Sequence, residues 1–279
     1  MRQTIGFILF VAAAFILTLL PGGLWSGLLT ANLRTGIAVP WSVPAALALL
    51  WLAWLYAGGW GPPKSTSAAR RRYRRAKPAP GDLFAWALVA NALSLTALAG
   101  LWIVLFRLVR LPGAHLPDFS AYPLPVIVLV LVCAGVVGGV SEEVGIRGYL
   151  QGALERRLPW PAAVVAAALV IAPGHALTQG FVWPTLVFYM LADVAYGVTA
   201  YLTDSILPGA IAHAVGLFVF FAFIWPRDAA RPSIALGGPD LSFWLHVAQV
   251  AVFGPLAVGA FAILARKRVR EPRGSRSQP

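Results

Sequence analysis

The sequence is poor in charge, in acid and in cysteine. Of its 279 residues only 11% are charged and ten are Asp or Glu. Soluble domains carry about 25% charged residues, so too little polar surface remains to cover a particle in water. With 59% hydrophobic residues, most of the chain must be dissolved in lipid. Lipid offers no hydrogen bonds to the backbone, which leaves helices or a closed barrel. The long Leu-, Ala- and Val-rich runs show no period-2 alternation, so the fold class is all-α, a polytopic integral membrane protein. The single cysteine, Cys133, lies in the apolar run Val126–Val140. It excludes an intramolecular disulfide and a Cys-based metal site, and reads as a small buried apolar residue.

What is present is a succession of apolar runs of about 20 residues, the length of a transmembrane helix. Eight are expected, over Thr4–Leu20, Val39–Ala57, Leu83–Phe106, Leu124–Val140, Pro161–Pro173, Trp183–Leu202, Ile206–Trp225 and Phe243–Ala265. The fifth is short and bounded by prolines, which marks it as broken or only partly spanning. The first follows Arg2 but ends at Pro21-Gly22-Gly23, with no small-residue cleavage site, so it is expected to remain as a helix. Residues 1–120 form N-terminal transmembrane helices with a basic loop at 59–81. Residues 121–225 form a helical core, 226–265 the last span, and 266–279 a disordered basic tail.

The net charge is +12. Its distribution argues for orientation rather than for nucleic acid. Lys64, Arg70, Arg71, Arg72, Arg74, Arg75 and Lys77 crowd the loop Gly59–Gly81. Short Lys/Arg-rich loops remain cytoplasmic. Alternation then places the turn at Arg156–Arg157, the tail from Arg266 and both termini on the same side of the cell membrane. The loop also suits an anionic lipid surface, at about 1 kcal/mol per basic residue.

Most acids fall in or beside expected loops, turns and tails: Asp82, Asp118, Glu155, Asp204, Asp228, Asp240 and Glu271. Glu142, Glu143 and Asp193 do not. A charge at mid-membrane costs about 2.5–3.5 kcal/mol even on insertion scales, so such residues mark function. Glu143 and Arg147 are four apart with the acid first, the favoured order for a helical ion pair. Glu142 is rotated about 100° from Glu143 and is expected to face a cavity, where it can act as base or acid. A packing salt bridge explains Glu143–Arg147 and leaves Glu142 without a purpose.

Two histidines, His175 and His213, also sit in apolar runs. With a turn at Arg156–Trp160, Glu142 and His175 each rise roughly 21–23 Å from it and are level. His213 rises only roughly 13 Å from Asp204 by the same measure. Asp193 shares its helix with Tyr189, Tyr196, Gly197 and Thr199, as a remote partner or along a water path. Proton relays of transporters use the same residue types, but no internal repeat of the kind common in carriers is visible.

The run Ser141-Glu142-Glu143-Val144-Gly145-Ile146-Arg147-Gly148-Tyr149-Leu150 resembles the Glu-Glu-x-x-x-Arg motif of the CAAX-protease and bacteriocin-processing membrane proteins, the CPBP or Abi family. Ile171-Ala172-Pro173-Gly174-His175 is similar to its Phe-x-x-x-His motif without the aromatic residue. Ser205-Ile206-Leu207-Pro208 through His213 resembles its third motif, with Leu217 at the Asn position. The resemblance covers roughly Leu124–Phe223. It implies an intramembrane endopeptidase acting on a membrane-tethered peptide or protein that can be prenylated. Glu142 and His175 would activate water, Glu143 and Arg147 would shape the site, and His213 would help hold the oxyanion. The family has been described both without metal and with a divalent ion such as zinc, for which Glu142, His175 and His213 would be the ligands. Asn91 and Gln179 are other donors that could stand in for the missing Asn. A family member that binds without cutting, as a scaffold or immunity protein, is the alternative implied by Leu217.

Overall fold

The computed structural model describes residues 2–36, 39–109, 119, 122–179, 181–231 and 233–270, with side chains undescribed at 2–7, 176–179, 228–230, 236 and 270. His115, Asp118 and Glu271 lie outside the described residues, and so does the side chain of Gln179. All regular structure among the described residues is helical. The helices are α1 (Arg2–Arg34), α2 (Ser42–Ala57), α3 (Ser67–Arg74), α4 (Gly81–Leu108), α5 (Leu124–Glu142), α6 (Trp160–Gln179), α7 (Trp183–Thr203), α8 (Leu207–Val219) and α9 (Leu241–Arg270). Two of them change pitch. α5 continues as a π-helix over Glu143–Gln151, and α8 ends in a π-turn over Phe220–Ile224.

Every apolar run forms a helix, but not all reach the expected length. Among the described residues, six helices are long and apolar enough to cross a membrane, in α1, α4, α5 with its extension, α7, α8 with its extension, and α9. α2 and residues 160–175 of α6 are apolar but shorter. The 16 residues of α2 measure about 24 Å, less than the roughly 30 Å of hydrocarbon. Three boundaries differ from expectation, two of them at prolines. α1 runs through Pro21 to Arg34, and α6 runs through Pro173 to Gln179. Membrane helices tolerate proline because neighbouring helices satisfy the freed backbone groups. α9 continues to Arg270, so the first residues assigned to a disordered tail are helical.

The turns and loops sort into two ends. At one, Arg75 reaches Glu155 (3.2 Å) and Asp204 (3.3 Å) and donates to the Ala200 carbonyl (3.0 Å). Ser205 Oγ donates to the Lys77 carbonyl (2.6 Å), and Lys267 meets Asp82 (2.9 Å). At the other, Arg107 pairs with Asp240, whose Oδ1 also caps α9 at the Phe243 N–H (2.8 Å). Those two bonds hold the Asp240 carboxyl below the usual carboxylate range, the Arg107 contact first. The basic loop is therefore more than a topology signal. Arg70 is 5% exposed, donates to the carbonyls of Tyr56, Trp60 and Gly61 at 2.7–2.9 Å, and lies over the Tyr56 ring. Lys64, Arg71 and Arg72 remain exposed.

A close helix approach positions the site. Gly135, Gly139 and Glu143 recur every four residues, so they share one stripe of α5. A Cβ on Gly139 would lie 2.7 Å from the Ala214 nitrogen, and one on Gly135 would lie 2.6 Å from the Ala214 oxygen. Small residues let membrane helices meet backbone to backbone, and here they bring α8 against the acidic pair. Gly209 of α8 completes the fit, since its Cβ would sit 2.7 Å from Glu143 Oε2.

Two outcomes are expected. Gly139→Leu should cost about 1–3 kcal/mol by overpacking, visible as a lowered unfolding temperature in detergent, with Gly139→Ala intermediate. In a Cys133→Ser background, an impermeant thiol reagent should label Ser65→Cys only from the cytoplasmic face and Ala235→Cys only from the opposite face.

Candidate active site

Glu142 ends the regular part of α5, and Glu143 begins the π-helix. A π-helix bonds i to i+5 and often marks a functional site. This one buries all nine of its residues, Glu143 and Arg147 among them. Its neighbours are packed to the backbone, since a Cβ on Gly145 would strike Thr18 Oγ1 at 2.0 Å and one on Gly148 the Tyr73 oxygen at 2.5 Å. The two glutamates diverge as helical rotation requires. Glu143 is fully buried and approaches Arg147 Nε at 3.5 Å. Glu142 lines a cavity of about 770 Å³.

The structure brings the sequence-selected residues to one place. Glu142 Oε2 stands 3.6 Å from His175 Nε2 and 3.7 Å from His213 Nε2. His213 Nδ1 lies 3.3 Å from Glu143 Oε1. Each nitrogen of His213 thus faces one member of the acidic pair. Helical rise counted from the turns puts His213 well below Glu142, yet their side chains meet, because the height of each helix is set by its packing against its neighbours.

Asp193 holds a larger place than its sequence context suggested. Its carboxylate is in direct contact with Arg147 Nη2, which also donates to the Asp193 carbonyl at 3.3 Å. Arg147 is therefore clamped between Glu143 and Asp193, with all three 5% exposed or less. One and the same face of α7 carries Tyr189, Asp193 and Tyr196, four and three residues apart. Tyr189 stacks on His175 (centroids 4.1 Å, 13°) and Tyr196 on His213 (4.4 Å, 12°). The 4–3 spacing was legible in the sequence. Which rings it would meet was not, because that depends on the partner helices.

The remaining wall is mostly apolar, with Trp25, Leu95, Trp102, Phe188 and Phe220 among its residues. Leu217 also lines it, beside Gly138. Asn91 does not replace the motif Asn, because its amide is buried elsewhere and donates to Ala87 O (2.7 Å) and Thr199 Oγ1 (2.8 Å). Among the described residues, no group of three His, Cys, Asp or Glu side chains is placed to hold a metal ion.

Breaking a buried ion pair from one side leaves an uncompensated charge, at a cost of about 3–5 kcal/mol. Arg147→Ala should therefore abolish a cooperative unfolding transition in detergent or lower it steeply. Asp193→Asn, which keeps shape and a hydrogen-bonding oxygen, should cost less.

Residues 124–219, from the start of α5 to the end of α8, match a family model described as type II CAAX prenyl endopeptidase Rce1-like. No curated protein and no solved structure matches the chain. The matched stretch contains Glu142, Glu143, Arg147, His175, Asp193 and His213, and over these residues the chain is similar to the type II CAAX prenyl endopeptidases.

Proposed function

We propose that this protein is an intramembrane endopeptidase that cleaves a peptide bond of a membrane-tethered, prenylated substrate with water activated by Glu142. The observation that carries the reading is the meeting of Glu142 Oε2 with His175 Nε2 (3.6 Å) and His213 Nε2 (3.7 Å) at the wall of one cavity. A carboxylate facing imidazoles can hold a water molecule from two sides and accept its proton. The apolar walls suit a lipid-modified chain.

In the reaction, Glu142 takes a proton as the water oxygen attacks the carbonyl carbon. The carbonyl oxygen becomes an oxyanion in a tetrahedral intermediate. Glu142 then returns the proton to the amide nitrogen, the C–N bond breaks, and a carboxylic acid and an amine leave. His175, stacked on Tyr189, orients the water. Glu143 holds His213 by its Nδ1, and Arg147 holds Glu143. Leu217 on the cavity wall favours a second reading, a protein that binds such a chain without cutting it.

Glu142→Ala should lower cleavage of a farnesylated, membrane-tethered peptide by about 10²–10⁴, the usual contribution of a general acid–base group, with little loss of fold. Equal cleavage by both proteins rules out Glu142 as the base. Tight binding of the peptide with no cleavage by either protein supports the second reading.

A further inference from the structure

The hydrolysis proposed above needs a hydrogen-bond donor for the oxyanion. Donors aimed at developing charge are worth about 10²–10³ each in turnover. The residues at hand supply few. Leu217 has no polar atom. Both nitrogens of His213 already face carboxylates, Nδ1 on Glu143 and Nε2 on Glu142. Asn91 is committed to Thr199.

Tyr196 is placed differently. It lines the same cavity and is 5% exposed. Its ring is held flat against His213 at 4.4 Å, with the Arg147 guanidinium 5.4 Å from its centroid. It sits three residues beyond Asp193, so the Arg147–Asp193 contact fixes its helix at that level. Its hydroxyl makes no hydrogen bond to another described residue and is not among the fully buried unpartnered atoms, so it borders open space. The hydroxyl lies beside Gly216, the residue before Leu217, where an added Cβ would come within 3.3 Å of it. The glycine lets α8 approach both that hydroxyl and Leu95, whose Cδ2 would lie 2.7 Å from the same Cβ.

The geometry points to Tyr196 as the oxyanion donor of this enzyme, a catalytic residue whose hydroxyl takes over the task that Leu217 cannot perform. This rests on the endopeptidase reading. The phenol O–H donates to the carbonyl oxygen as negative charge develops on it and keeps its proton throughout. The bond weakens when the C–N bond breaks and a neutral carbonyl is restored. No other reactant is required.

The test compares the wild-type protein, Tyr196→Phe, Tyr196→Phe with Leu217→Asn, and Glu142→Gln, each full-length in detergent or liposomes. The Phe variant keeps the ring that stacks on His213, so its unfolding temperature should stay near that of the wild type. On a farnesylated peptide its kcat should fall about 10²–10³-fold with KM within about twofold, the pattern of an interaction made only in the transition state. An Asn added at position 217 should restore part of that loss. A second measurement does not depend on turnover. A farnesylated peptide with a phosphinate in place of the scissile amide should bind the wild type about 10²-fold more tightly than it binds Tyr196→Phe, while the parent peptide binds Glu142→Gln with and without Tyr196→Phe equally. If the wild type cleaves, Glu142→Gln does not, and Tyr196→Phe cleaves like the wild type, the donor assignment falls and the endopeptidase reading stands. If the wild type neither cleaves nor prefers the phosphinate, both fall.

Discussion

The buried charge cluster around Arg147 is the constraint on which the rest of the site depends. A guanidinium 1% exposed in an apolar helix bundle is tolerable only when paired. Here two carboxylates from different helices share it, Glu143 from its own helix and Asp193 from α7. Three consequences follow from one cation. Glu143 is positioned to hold His213. Helix α7 is held at the height where its two tyrosines meet the two histidines. And Glu142, the neighbour of Glu143, is turned away from the cluster and into the cavity.

The cluster can form only because the helices come unusually close. Gly135 and Gly139 let α5 meet α8 at backbone distance, and Gly209 leaves room for the Glu143 carboxylate. Apolar side chains give little drive for helix association in lipid, so packing of this kind and interhelical polar contacts must supply it. The same residues therefore serve fold and site. The π-helix adds to this. It begins directly after Glu142, and all nine of its residues are buried.

The basic end of the molecule shows a comparable double use. Of the arginines between α2 and α4, Arg70 closes the loop on its own carbonyls, and Arg75 joins that loop to the turns at Glu155 and Asp204. The turns that follow the acidic motif and precede the third motif are thus tied to a common loop. Lys64, Arg71 and Arg72 remain outward, where a topology signal or an anionic lipid surface would use them.

The sequence by itself determined the solvent, the helical class and the positions of the apolar runs, because lipid forces the backbone to satisfy itself locally. It also singled out Glu142, Glu143, Arg147, His175 and His213, since ionisable groups in apolar runs are too costly to be incidental. The Glu143–Arg147 pair and the separation of the two glutamates were readable because both follow from helical rotation within one segment. What required the tertiary structure was everything that passes between segments. The length of α6 through Pro173, the meeting of His213 with Glu142, the clamp by Asp193 and the ring stacks of Tyr189 and Tyr196 depend on how neighbouring helices and their π-helical segments pack. That packing is not encoded in a local pattern. Leu217 illustrates the division. The sequence placed a leucine where the resembled motif has Asn, and only the packing of α7 against α8 brought the Tyr196 hydroxyl beside its neighbour Gly216.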